Sequence, residues 1–579
     1  MKKVTVLTLN VDRENTLEVL RELGVMHLKH VQVPAGETVD EARADHARIQ
    51  RALEMLPEEH HAKPSGDDPE KTVAEITKIL EKRKDLSARY DALAIEEKRI
   101  EPYTSFDPVM IRKLREKGVF VKLGKIIPRE EPVFPENTAL HIISETKDGQ
   151  YVAVIGEDDF NMPVGELRLP EKSLADIQQE MAGIQSKLEA FDQEMHDLGG
   201  ERPVVQKYLH EAEDQLSYVE ARYGMGGDER ISFLQGFCPD ESMEKVRAAA
   251  SDHGWGLLVD EPGPEDNVPT EIRNPAWVRP IKAIFDITGI MPGYDEVDVS
   301  PVFLIALSIF FAMLVGDAGY GALFFGMTFL ARKKMKKAPQ YPFSFMYIMS
   351  VCTMIWGVMT GTYFGMSRAS LPIPYIQWFN NDANVMFLCF LIGAVHLSVA
   401  HLWNAWLLRN TPQAAAHVGW VLSTATMFFV ACTFVLGHEM PRGILWVFIV
   451  GVVLIILFQT PLNKLKEEWI NHAMLPLTVI NNFSDVVSYL RLFAVGTASY
   501  AVASAFNQML AVTSEDAIWV IPLKVVFLFL GHGLNIALCG LGILVHGVRL
   551  NTLEYSSHMG LQWKGHKYAP FMSKVKAAE

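Results

Sequence analysis

What this chain has little of narrows its function before any motif is considered. Of its 579 residues only five are cysteine, and Cys352, Cys389, Cys432 and Cys539 sit inside apolar runs, leaving Cys238 alone in the polar part. That excludes a disulfide framework and any recognisable metal-binding pattern, so the thiols read as small core residues and no metal or other cofactor is expected. Positive charge is in deficit too, with a formal net charge of −15, which argues against nucleic acid as a partner. The one stretch resembling a phosphate loop, Gly118 to Ile126, has five residues between Gly118 and Gly124. Ile126 also stands where Ser or Thr would hold magnesium, so nucleotide binding is not expected. The chain does not open on a basic segment followed by a short apolar one, and the expectation is an uncleaved, cytoplasmic first half. Carboxylates are nearly missing from the long apolar runs of the second half, which hold only Asp317 and Asp485.

Against that scarcity, one cation stands at membrane depth. In NNFSDVVSYLRLFAVGTASYAVASAFN, Asn481 to Asn507, Arg491 lies mid-helix in an otherwise membrane-grade segment. A guanidinium there costs roughly 2.5 to 3.5 kcal/mol on insertion scales, so it faces a bundle interior or water. At 100° per residue Asn481, Ser484, Ser488, Arg491 and Ser499 share an arc of roughly 80°. Asp485, six residues from Arg491, falls roughly 240° round the helix. Neither carboxylate is an obvious partner, and the expectation is a counter-charge supplied by another protein. A second polar stripe, His532, Asn535, Cys539 and His546, occupies roughly 60° of the last apolar run, with Arg549 just beyond.

The first half is soluble in character. Residues 3–33 read strand, helix, strand, with Gly24 closing the helix. Heptad spacing in Ile79, Leu86, Leu93 and Ile100 is weakened by Arg83 and Glu97. It is cleaner in Ile177, Met181, Ile184, Leu188, Phe191, Met195 and Leu198, resumes from Val205 to Tyr223, and is interrupted near Gly199, Gly200 and Pro203. Residues 106–165 form a small lobe with a hairpin at Asp148 and Gly149. The stretches ISFLQGFCP, Met243 to His253 and GWGLLVDEP make another strand, helix, strand unit. The expected architecture is α+β for residues 1–300: a membrane-proximal α/β lobe (1–35 plus 229–290), an antiparallel coiled coil (38–100 plus 171–223) and a distal lobe (106–165).

Residues 301–579 are expected to form an all-α polytopic membrane domain of eight helices. Pro301 to Leu330 precedes the basic cluster Arg332, Lys333, Lys334, Lys336 and Lys337, and basic clusters mark the cytoplasmic side. That run therefore divides near Gly316 to Gly319, putting Asp317 at a tight turn. Further spans read as 343–366, 384–408, 413–437, 443–459, 470–512 and 519–548. Arg409, Lys464, Lys466 and the tail lysines Lys564, Lys567, Lys574 and Lys576 fall on the cytoplasmic side. His396 and His401 read as hydrogen-bonded core histidines.

SYLRLFAVGTASYAVAS, Ser488 to Ser504, resembles the arginine helix of the membrane stator subunit of V-type and A-type rotary ATPases, called subunit a or subunit I. VPTEIRNPAWVRPIKAIFDITGIMPGYDEVDVSPVF, Val268 to Phe303, is similar to the family's approach to the membrane, and GDAGYG, Gly316 to Gly321, to its first membrane signature. The resemblance implies a short prokaryotic-like member in the plasma membrane, with its N-terminal arm and C-terminus cytoplasmic. It implies no catalysis of its own: Arg491 faces the ion-carrying carboxylates of a rotating ring of small subunits. The arm is anchored by peripheral-stalk subunits and touches the central rotor, and the catalytic head is engaged only indirectly. The family's second arginine, with a polar residue three positions before it, is matched by Arg549 and His546. Where eukaryotic members have a histidine and a glutamate, this chain has Ser499 and Cys539. The ion-translocation residues are thus expected among Arg491, Arg549, His546, Ser488, Ser484, Asn535, Cys539, Ser499 and Asp485. A self-contained transporter, the rival reading with a coiled-coil receptor, would carry its own ion ligands and internal repeats, which the chain does not show.

Overall fold

The structure is a computed structural model that describes residues 1–57, 68–104, 106–128, 132–147, 149–336, 338–366, 374–460, 470, 473–510 and 519–573. Asp148, Lys337, Lys464, Lys466, Lys574 and Lys576 lie outside the described residues. The chain forms two compact units, residues 1–263 with 570–579, and residues 264–569.

In the first unit, β1 (Lys2–Leu9) alternates so that Val4 and Val6 are fully buried. It is followed by α1 (Arg13–Leu23), ended by left-handed Gly24, and by the short β2 (His27–Lys29). β1 lies between β8 (Ile231–Cys238) and β9 (Gly256–Asp260), with β2 and β7 (Gly226–Gly227) also paired to β8, all antiparallel. α1 and α7 (Met243–His253) supply Leu17, Leu20, Val246 and Ala250 to the core beside this sheet. Two long helix pairs extend from it. α2 (Glu37–Met55) packs with α6 (Arg202–Tyr223), and α3 (Pro69–Ile100) with α5 (Leu174–Asp197). The α3–α5 pair is antiparallel, because Leu93 and Ile100 meet Ile177, Met181 and Ile184 while Val73, Ile76 and Ile79 meet Met195. Arg83 and Glu97 turn aside from this seam: Arg83 pairs with Asp192 at 3.2 Å and Glu97 accepts from Gln178 at 2.9 Å. A 3₁₀ turn, Leu198–Glu201, carries the chain from α5 into α6 without a loop. Between α3 and α5 comes α4 (Pro108–Glu116) and a four-stranded antiparallel sheet, β4 (Thr138–Thr146), β5 (Gly149–Gly156), β3 (Phe120–Ile126), β6 (Gly165–Glu166), in that spatial order.

The unit boundaries differ from the sequence reading at both ends. Residues 264–290 belong to the second unit because Val278, Ile281, Ile284 and Phe285, leading into and along α8 (Lys282–Thr288), share a core with Phe303 and Leu307. Conversely, the tail from Pro570 returns to the first unit. Phe571 is 5% exposed in the core of Val4, Leu17 and Met26, its N–H donates to the Met26 carbonyl at 2.8 Å, and Ser573 donates to Asp214 at 2.6 Å.

The second unit is helical. α9 (Ser300–Val315) and α10 (Ala318–Lys334) bend by 119° at Gly316 and Asp317. Asp317 caps α10: its carboxylate accepts from the N–H groups of Gly319 (2.7 Å), Tyr320 (3.2 Å), Phe364 (2.8 Å) and Gly365 (2.8 Å). This pins the bend to the end of α11 (Gln340–Thr360). Gly321 has no room for a Cβ, which would lie 2.8 Å from the Met354 backbone nitrogen, so α10 and α11 approach closely there. Then follow α12 (Asp382–Leu407), α13 (Gln413–Leu436), the 15-residue α14 (Ile444–Phe458), α15 (Leu475–Met509) and α16 (Val520–Met559). Among the described residues five helices, α11, α12, α13, α15 and α16, are long and apolar enough to cross a membrane, and six spans result if the bent pair counts as one.

Removing the Phe571 ring leaves a cavity in the first unit's core, a change that costs roughly 3 to 5 kcal/mol in other proteins. Phe571→Ala is therefore expected to accelerate amide hydrogen exchange in β1 and α1 while leaving α11 to α13 unchanged. Unaltered exchange in β1 would show that the tail is not part of that core.

Candidate functional site

The polar residues of α15 and α16 gather at three levels. At the middle level, Arg491 Nη1 lies 3.7 Å from Glu554 Oε1, and Arg549 Nε lies 3.7 Å from the same oxygen. Glu554 is 6% exposed at its side chain and Arg491 21%, while Arg549 is half-exposed. Arg491 Nη1 and Glu554 Oε2 make no hydrogen bond although both are buried. The contact corrects the expectation that Arg491 finds its counter-charge only on another protein. α16 does not stop near Val548: it runs on to Met559 through two π turns, Ile543–Gly547 and Leu550–Tyr555. In α-helical geometry a residue five after Arg549 points roughly 140° away, but a π turn closes i to i+5 and brings the two to one face. His546 lies in the first π turn, half-buried, and Arg549 between the two.

Toward the C-terminal end of α15, about 12 Å along the axis from Arg491, Ser499 Oγ lies 3.0 Å from Cys539 Sγ. Asn535, 1% exposed, donates to the Ser499 carbonyl at 3.1 Å and to Tyr320 Oη at 3.1 Å. Tyr320 Oη in turn meets His532 Nδ1 at 2.7 Å, and His532 Nε2 meets Asn507 at 3.1 Å. Tyr320 joins this network from α10, outside both polar stripes.

Toward the N-terminal end of α15, Ser484 is exposed and accepts through its carbonyl from Ser488 Oγ at 2.9 Å. Asp485 accepts from His558 Nε2 at 3.0 Å, so it has a partner of its own. His401, buried, contacts both His558 (2.8 Å) and His417 (3.4 Å), and His396 is hydrogen-bonded to Tyr489 Oη at 2.7 Å.

Two cavities flank α15 at different heights. One, of about 670 Å³, is lined by Thr478, Asn481, Ser484 and Asp485 together with His401, His417 and His558. The other, of about 360 Å³, is lined by Leu492, Phe493, Gly496, Thr497 and Tyr500 with Thr360, Thr362 and Asp382. Arg491 falls between the two sets of lining residues. Val486, Tyr489 and Leu492, all buried, are packed in the helical core at the same level.

The chain has counterparts among known proteins. V-type ATP synthase subunit I of Borreliella burgdorferi is 28% identical over all of this chain and 99% of its own length. The chain's homologues are subunit I of V-type and A-type ATP synthases. V-type ATP synthase subunit I 1 of Treponema pallidum is likewise 28% identical, over 99% of each chain. A-type ATP synthase subunit I of Pyrococcus horikoshii is 27% identical over 60% of this chain and 54% of its own. A crystal structure of the cytoplasmic N-terminal domain of subunit I, homolog of subunit a, of V-ATPase matches 45% of this chain and 100% of that one at 15% identity. Its TM-score of 0.23 is too low to equate the two folds. No family model matches the chain. Subunit I is a non-catalytic membrane subunit, and no group of His, Cys, Asp or Glu that could hold a metal occurs among the described residues.

Glu554, Tyr320, His417 and His558 are the site residues the sequence did not single out. For Glu554 a signal was available, since Leu550, Leu553, Tyr555 and Met559 carry the apolar pattern past Val548. If Arg491 and Glu554 interact as their geometry indicates, Arg491→Gln and Glu554→Gln should each destabilise the detergent-solubilised chain. The double variant should lose less than the sum, with a coupling of about 1 to 2 kcal/mol. Additive effects in SDS unfolding from mixed micelles would show that the pair does not interact.

Proposed function

We propose that this chain is the membrane stator of a rotary ATPase, forming the path by which ions reach and leave the carboxylates of a rotating membrane ring. The observation that carries the reading is the pair of cavities offset along α15 with Arg491 between them. Between the two cavities lies the packed level of Tyr489 and Leu492, and on this reading an ion does not pass directly from one to the other. It must board a ring carboxylate, travel with the ring and leave on the opposite side. Arg491 keeps the passing carboxylate ionised, because an opposite charge within ~4 to 6 Å lowers a carboxylate's pKa by about 1 to 3 units. Glu554 leaves room for this visitor: one carboxylate shared by two guanidinium groups leaves a net positive charge at the middle level. ATP chemistry resides on other subunits. Peripheral-stalk subunits hold the arm, the central rotor brushes it, and the catalytic head is reached only through them.

The reading takes α9 and α10 as two crossings and α14 as one, which makes eight with α11, α12, α13, α15 and α16. The tail supports an even count, since the chain leaves the first unit at Gly263 and rejoins it at Pro570. Counting the bent pair as one span would leave an odd number. The arm and the C-terminus then lie together on the cytoplasmic side of a prokaryotic plasma membrane. In intact cells a single cysteine at Met440 is expected to react with an impermeant thiol reagent, and one at Arg409 only after permeabilisation. Both residues are exposed. External labelling at position 409 would overturn the eight-crossing arrangement.

Arg491 must remain charged beside apolar helices and present that charge across a planar face, which lysine does poorly because its pKa falls on burial. Arg491→Ala and Arg491→Lys are both expected to abolish ATP-driven ion uptake by reconstituted vesicles while the complex still assembles. Ser488→Ala, one turn away, should only slow it. Robust uptake by Arg491→Ala would make this arginine structural and remove the basis of the stator reading.

A further inference from the structure

Three histidines from three helices and one aspartate from a fourth form a continuous hydrogen-bonded chain at the 670 Å³ cavity. The contacts run His417 Nδ1 to His401 Nδ1 (3.4 Å), His401 Nε2 to His558 Nδ1 (2.8 Å) and His558 Nε2 to Asp485 Oδ2 (3.0 Å). An ionised carboxylate only accepts, and each neutral imidazole has one N–H and one bare nitrogen. Asp485 therefore places the proton of His558 on Nε2, which leaves Nδ1 of His558 to accept from His401 Nε2–H. His401 Nδ1 is then bare and accepts from His417 Nδ1–H. One acceptor at the end of the chain fixes all three tautomers, and every N–H points toward Asp485.

The rings are held for this. Trp420 stacks on His401 at 5.7 Å with an interplanar angle of 11°, and is itself fixed by donating to Gln459 at 2.9 Å. Asn404 donates to the carbonyls of His558 and Met559, both at 3.2 Å. Among the described residues lining the cavity, His401, His417, His558 and Asp485 are the titratable ones.

We propose that His417, His401, His558 and Asp485 are a proton wire feeding the ring-facing site, and that the ion moved by this chain is therefore H⁺. A proton from cavity water binds His417 Nε2 and the Nδ1 proton of that ring passes to His401 Nδ1. The Nε2 proton of His401 passes to His558 Nδ1, and the Nε2 proton of His558 passes to Asp485. One proton has moved, no imidazole is left charged, and each ring holds the opposite tautomer until water in the cavity exchanges its protons back. Asp485 stands about 9 Å along α15 from Arg491, and water in the same cavity, whose lining includes Ser484 on the Arg491 stripe, carries the proton on to the carboxylate that Arg491 faces.

The inference rests on the stator reading, and the test separates the two. In the assembled complex reconstituted into vesicles with a pH-sensitive dye, His401→Ala is expected to slow ATP-driven proton uptake by about 100-fold or more, the scale of a lost proton-transfer group. Added free imidazole, small enough for the vacated cavity, should restore much of it, whereas Arg491→Ala should stay inactive with or without imidazole. His558→Gln, which keeps a donor to Asp485 but relays no proton, should show the same loss and serves if His401→Ala fails to assemble. Uptake by assembled His401→Ala or His558→Gln at the parent rate, a loss that imidazole does not relieve in His401→Ala, or uptake that requires sodium would overturn the wire. An active Arg491→Ala complex would instead overturn the stator reading beneath it.

Discussion

Holding a permanent cation inside an apolar helix pair is the constraint from which the rest of this membrane unit follows. Leaving Arg491 uncompensated would cost several kcal/mol, and pairing it fully would bury a neutral, inert ion pair. The chain does neither: Glu554 divides one negative charge between Arg491 and Arg549, with both contacts at 3.7 Å rather than at hydrogen-bond distance. A shared counter-ion leaves the two guanidinium groups with one net positive charge between them. The π turns of α16 lie at this level and bring Arg549 and Glu554 to one face, where ordinary α-helical phase would turn them apart.

The packing around that charge lies between the two cavities. Tyr489 is fully buried, bonded to His396, whose ring stacks on Tyr555 at 4.4 Å, and it sits where Gly393 has no Cβ to obstruct it. Above and below this aromatic plug the side chains become polar again, with Ser499, Asn535 and Tyr320 on one side and Asp485 and its histidines on the other. Asp317 takes no part in either set. Its carboxylate is spent on four backbone N–H groups, and its work is to hold the bend between α9 and α10.

Much of this was legible from spacing, and the failures have identifiable causes. The heptad residues Ile177, Met181 and Ile184 are buried in the seam, because period and burial coincide in a regular helix pair. Ser499 and Cys539 lay on separate stripes in the sequence and touch in the structure, since facing α-helical stripes need no long-range information beyond which helices are neighbours. Glu554 was missed where the helix left the α period, so a 100° projection pointed it away from Arg491. The histidine chain was missed for another reason: His401, His417 and His558 come from three helices, and nothing in one-dimensional spacing indicates which helices meet. Asp485 likewise appeared partnerless because its partner lies 73 residues further along the chain.

The position of Phe571 sets the order in which the chain matures. The first unit's core contains residues from the opening strand and from the last few described positions, so the ribosome completes this core only after all the membrane helices are made. At roughly 5 to 20 residues per second, β9 waits on the order of tens of seconds for Phe571 to follow it. During that interval the lobe carries an open apolar notch where the ring will sit. A chain halted anywhere in the membrane helices would keep the notch, so its own first domain displays whether synthesis has passed position 571.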